Sequence, residues 1–88
     1  MNDIAALTQR VRPMLLKTWD PIGIVEEPRA QDEYDSYAPA IARMLAAGVS
    51  EAALASHLLA IERDRMGLRG DAPRASRVAR SLLALVQG

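Results

Sequence analysis

Ser50-Glu51-Ala52-Ala53-Leu54-Ala55-Ser56-His57-Leu58-Leu59-Ala60-Ile61-Glu62-Arg63-Asp64-Arg65-Met66-Gly67 reads as one complete helix with both of its ends written in. Ser50 is a good N-cap, because its hydroxyl can accept from a free amide of the first turn. Glu51 places a negative charge on the positive end of the helix dipole. Leu54, Leu58, Ile61 and Arg65 share one face, and Leu59 widens it. Gly67 follows as a terminator able to adopt the left-handed conformation.

The same grammar recurs on both sides. Ile4, Leu7, Val11, Met14 and Leu15 repeat at three and four residues, which predicts a first helix over about Asp3 to Thr18, capped by Asn2 or Asp3. Pro13 lies inside it. A proline there frees the carbonyl of Gln9, so a kink or a split is expected. A second helix is expected over about Glu33 to Ala47, with Ile41, Met44, Leu45 and Ala38 inward and Gly48 as its stop. Asp32, Asp35 and Ser36 all compete as its cap. Pro39 fits if Ser36 is the cap, since it then falls in the first turn. A last helix opens at Gly70-Asp71-Ala72-Pro73 and turns Ala75, Val78, Ala79, Leu82, Leu85 and Val86 inward. Nothing alternates with period two. The prediction is a single all-α domain over residues 1–88, a compact bundle of about four short helices.

Composition narrows the function. The chain of 88 residues has eleven basic and eleven acidic side chains, so bulk positive charge for binding phosphate is lacking. Without cysteine there is no disulfide framework, thiolate metal site or thiol nucleophile, and one histidine cannot make a multi-histidine site. No cofactor or metal is expected. No apolar run reaches a membrane-spanning length of about 18–20 residues, and Met1-Asn2-Asp3 lacks the basic flank of a signal peptide, so a cytoplasmic location is expected. Phenylalanine is absent and alanine is abundant, which makes for a thin core. Either Trp19 and the two tyrosines fill the centre, or two copies of the chain share a core as a homodimer.

Neutrality hides a polarity. Asp20, Glu26, Glu27, Asp32, Glu33 and Asp35 face only Arg29 within residues 20–35. Arg63, Arg65, Arg69, Arg74, Arg77 and Arg80 face only Asp64 and Asp71 within residues 63–80. The two regions can neutralise one another, or the acidic one can serve as a recognition surface for a basic partner.

Trp19-Asp20-Pro21-Ile22-Gly23 is the most distinctive stretch. Asp, Pro and Gly stand at the first, second and fourth positions of a type I turn. Trp19 then either anchors the helix end in the core or stands in a cleft as a binding hot spot. Asp32-Glu33-Tyr34-Asp35-Ser36-Tyr37 puts three carboxylates within four residues. Helix-start acids explain them, and so would a hard cation, although the spacing is not that of an EF-hand. His57, at the border of its helix face, suits a hydrogen-bonded structural role. Gathered with Asp20, Asp32 and Asp35 it would instead make a small metal-dependent or acid–base enzyme. Arg74, Arg77 and Arg80 step by three along the last helix, as phosphate contacts would in a nucleic-acid accessory protein.

Trp19-Asp20-Pro21-Ile22-Gly23 and Asp32-Glu33-Tyr34-Asp35-Ser36-Tyr37, followed by Ile61-Glu62 and Met66-Gly67-Leu68, resemble a family of small bacterial helical proteins of unknown function. Those proteins carry a WDPIG … DEYD … MGL pattern. The resemblance covers about residues 4 to 68 and leaves out the arginine-rich last helix. It implies an all-helical fold and no established reaction. By analogy with small stand-alone bacterial proteins, it also implies an immunity or antitoxin partner of a toxin. The expected role is therefore non-catalytic protein binding, most plausibly inhibition of a basic toxin domain. Trp19, Asp20, Glu26, Glu27, Asp32, Glu33, Tyr34, Asp35 and Tyr37 are its expected contact residues.

Overall fold

The computed structural model describes residues 4–20 and 34–87. They form an all-α bundle of four helices: α1 (Ile4–Met14), α2 (Ala38–Ala46), α3 (Glu51–Ala60) and α4 (Ala72–Ala84). Two of them end in a wider, π-helical turn. Leu15–Trp19 continues α1 and Ile61–Arg65 continues α3. Among the described residues there is no strand, and no helix is long and apolar enough to cross a membrane.

The caps act where the sequence places them. The Ser50 hydroxyl accepts from the amide of Ala53 at 3.1 Å, and Asp71 accepts from the amide of Arg74 at 3.0 Å. Pro73 lies in the first turn of α4, where a missing N–H costs nothing. α2 begins later than the periodicity suggests. Residues 34–37 form a turn, in which the Tyr37 amide donates to the Tyr34 carbonyl at 3.0 Å and the Ala38 amide to Asp35 at 3.3 Å. Pro39 becomes the second helical residue and Tyr37 the cap position, rather than Ser36.

The interruption expected at Pro13 takes the form of a change of register. α1 runs on through Pro13, and the π turn starts two residues later at Leu15. A second π turn alters α3. The amide of Met66 reaches back five residues to the carbonyl of Ile61 at 3.1 Å, and Leu68 reaches Glu62 at 2.8 Å. The extra residue turns the stripe. Arg65, expected on the inner face, is exposed, and Glu62 is inside.

The core is built from Leu7, Val11 and Leu15, from Ala38, Ile41, Ala42 and Leu45, from Leu54, Ala55, Leu58 and Ile61, and from Ala75, Val78, Ala79 and Leu82. Trp19 and Tyr34, each 1% exposed, are its largest members. The thin aliphatic packing is thus filled at the centre by aromatics. Val86, expected inward, lies past the end of α4 and is exposed.

Gly70 (φ +90°) lets the chain double back from α3 into α4 at close quarters. A Cβ there would stand 2.9 Å from Arg63 Nε and 3.1 Å from Leu59 Cδ2. Gly48 has a similar φ of +81° with open space around it. Gly48→Ala should therefore cost only the left-handed strain, roughly 1–2 kcal/mol. Gly70→Ala should cost measurably more in the same urea titration. Equal costs would show that the contact at Gly70 is unimportant.

Candidate functional site

The chemistry-bearing side chains gather where the two π turns meet the start of α4. Trp19 is the last residue of the first π turn, and its indole Nε1 donates to Glu62 Oε2 at 3.1 Å. Glu62 is the second residue of the other π turn and is fully buried. Its Oε1 accepts from Arg74 Nη2 at 2.8 Å. Arg74 is itself held by α4, whose Asp71 cap bonds its backbone amide. The Arg74 Nε is buried without a hydrogen-bond partner, so the guanidinium is imperfectly satisfied.

A second polar contact lies beside the first. Asp20 follows Trp19 in the left-handed conformation (φ 33°, ψ 58°), and its amide caps the π turn on the Leu15 carbonyl at 2.8 Å. Aspartate tolerates that conformation better than most residues, and a following proline disfavours the right-handed one. The Tyr34 hydroxyl donates to Asp20 Oδ1 at 2.7 Å. The Tyr34 ring tilts against Trp19 at 5.5 Å between centroids, and Tyr37 meets Trp19 edge-on at 6.3 Å. Both are favourable aromatic geometries.

The expected contact residues therefore divide. Trp19 and Tyr34 are core residues that present almost no surface in this arrangement. Asp20, Asp35 and Tyr37 are half-buried. Asp35 is paired with Arg12 at 2.7 Å, and this partner raises the pKa of the Arg12 guanidinium. Glu26, Glu27, Asp32 and Glu33 lie outside the described residues, as does the Pro21-Ile22-Gly23 turn.

The other constellations are not assembled among the described residues. His57 makes no hydrogen bond or ion pair with Asp20 or Asp35, and Asp32 lies outside the described residues. Burial lowers the His57 pKa, with a smaller contribution from Arg65. No three potential metal ligands converge among the described residues. Three of the six arginines within residues 63–80 have a partner here. Arg74 serves Glu62, Arg80 reaches both carboxylate oxygens of Glu51 at 3.1 and 3.4 Å, and Arg63 Nε donates to the Arg69 carbonyl at 3.0 Å. Neither Glu51 nor Glu62 belongs to the acidic segment.

Glu62 is the residue that sequence reasoning passed over, although the signal was there. It stands four residues after Leu58 and eight after Leu54, on their face of the helix. Arg74 likewise precedes Val78 and Leu82 by four and eight. No protein-family model matches the chain, and neither the curated proteins nor the solved structures contain a match to it.

Glu62→Ala should cost about 2–4 kcal/mol of unfolding free energy in urea, because it removes the partner of the half-buried Arg74 and of the buried Trp19 indole. The double variant E62L/R74M, which removes both charges, should recover most of that loss. A second expectation concerns pH. A histidine with a lowered folded pKa binds its proton less readily when folded than when unfolded. Its contribution is full above the unfolded value of 6.5 and is lost as pH falls through that value toward the folded pKa. His57→Gln should flatten that part of a stability-against-pH curve. An unchanged slope would remove His57 as its source.

Proposed function

We propose that the chain is a non-catalytic protein-binding module of the immunity or antitoxin type, whose acidic segment engages a basic toxin domain in a bacterial cytoplasm. The observation that carries this is the 2.7 Å bond from Tyr34 to Asp20. It joins the two residues that bracket segment 21–33 and anchors both in the aromatic centre of the bundle. Between those anchors the sequence holds Glu26, Glu27, Asp32 and Glu33 against a single arginine. The helices supply the opposite balance. An acidic segment held at both ends by a rigid scaffold suits a basic partner, because charge complementarity raises association rates and rejects wrong partners. In this role the buried Trp19, Tyr34 and Glu62, with Arg74 beside them, shape the stem, and Asp20, Asp35 and Tyr37 form its half-buried margin. The acid–base alternative gains no support from His57, whose pKa is lowered by burial and by Arg65 and which bonds neither Asp20 nor Asp35. The nucleic-acid alternative is weakened by Arg74 and Arg80, which are already engaged by carboxylates.

The test is affinity capture from the native host with the wild-type chain and with E26Q/E27Q/D32N/E33Q. The expected result is one stoichiometric basic protein that the wild type retains at low salt and the variant binds at least tenfold more weakly. That protein should arrest growth when expressed alone and be neutralised by co-expression of this chain. Recovery of no stoichiometric partner, or equal retention by the variant, would overturn the proposal.

A further inference from the structure

The bundle is assembled from two helix pairs. α1 lies against α2 and α3 against α4, while the junction between the pairs runs chiefly through the first π turn, which lies on α4. The polar side-chain contacts follow the same division. Arg12–Asp35 and Tyr34–Asp20 lie within the α1–α2 pair. Arg80–Glu51, Arg63–Arg69 and Arg74–Glu62 lie within the α3–α4 pair. Two side-chain hydrogen bonds among the described residues cross between the pairs. One is exposed, from Arg10 to the Leu85 carbonyl at 3.3 Å. The other is the buried bond from Trp19 to Glu62.

We infer that the two helix pairs form a docked, openable assembly, latched by the insertion of Trp19 onto the buried Glu62–Arg74 pair, so that Trp19 becomes accessible while the helices stay formed. The energetics favour this over a permanently closed seam. A well-packed apolar contact at the junction would be opposed on opening by the full cost of wetting it. A fully buried carboxylate and the half-buried guanidinium beside it recover hydration on opening, which offsets part of that cost. The Arg74 Nε is buried without a hydrogen-bond partner, so the closed form carries one unmet donor. Arg74 and Glu62 both belong to the α3–α4 side and remain together when Trp19 withdraws. The opening therefore separates no ion pair and breaks two side-chain hydrogen bonds, the exposed one from Arg10 and the buried one from the indole. Sub-global openings of this kind typically separate contiguous supersecondary units. This inference does not depend on the role given to the acidic segment.

The experiment compares hydrogen exchange of the Trp19 indole N–H with that of the slowest backbone amides of α1–α4, as protection factors in the full chain. In the wild type the indole should be protected at least tenfold less than those amides. Glu62→Gln should lower the indole protection by a further factor of about ten and raise acrylamide quenching of Trp19, while moving the slowest amides less. Arg80→Gln, which breaks a contact within one pair, should change the indole protection relative to the amides by less than twofold. Indole protection equal to that of the slowest amides in the wild type would overturn the inference. So would a parallel loss in both for Glu62→Gln, since exposure of Trp19 would then require global unfolding. The wild-type comparison decides the matter even if the Glu62 variant does not fold.

Discussion

A carboxylate with no access to water must be held by donors or it will not stay charged in a protein interior. Glu62 is such a group, and it has two donors from different parts of the chain: the indole of Trp19 and the guanidinium of Arg74. Most of what is distinctive in this fold follows from bringing those three together. The first π turn ends on Trp19, the second opens around Glu62, and the Asp71 cap fixes the helical start that carries Arg74. Asp20 takes its left-handed conformation immediately after Trp19, and from there reaches Tyr34. A strained single residue is affordable where its neighbours on both sides are fixed by buried contacts.

The second π turn explains why ordinary helical spacing holds over most of the described helices and then fails at Arg65. Leu7, Val11 and Leu15 keep a four-residue step to the core, as do Leu54 and Leu58. Beyond Ile61 the helix takes one extra residue: Glu62 keeps the four-residue step of Leu54 and Leu58 to the interior, while Arg65, four residues after Ile61, swings out to solvent. A polar residue on an apolar face is costly unless partnered. The wider turn and the partners are therefore a single feature.

The capping residues were legible because each acts on its own first turn. Ser50 and Asp71 accept the amides three residues on, and nothing distant alters that. The all-helical class was legible for the same reason, since apolar periodicity and Gly or Pro stops are local signals. The aromatic centre was legible as one of two alternatives, because an alanine-rich core without phenylalanine leaves few side chains large enough to fill it. What local signals do not carry is pairing over long separations. Trp19 and Glu62 are 43 residues apart. Glu62 stands in step with Leu54 and Leu58, and a carboxylate in that position becomes intelligible only once Arg74 is known to face it. The late start of α2 was obscured by three competing caps, and Pro39 pointed to Ser36, one residue short of the observed cap position at Tyr37.

The thinness of the aliphatic core bears on why a buried charge is tolerated at all. Alanine at 38, 42, 55, 75 and 79 lets helices approach closely but buries little area per residue. Little area means little driving force to hold one helix pair on the other in a single register, and small flat faces can slide. A buried carboxylate that keeps its guanidinium within one pair but takes its second donor, the indole, from the other penalises every other register, since a shifted arrangement would lose that donor. An apolar side chain at position 62 would bind the pairs at least as strongly and specify their alignment less. In a small alanine-rich bundle, directional hydrogen bonds at the junction supply the alignment that packing volume cannot, at some expense in the strength of the closed state.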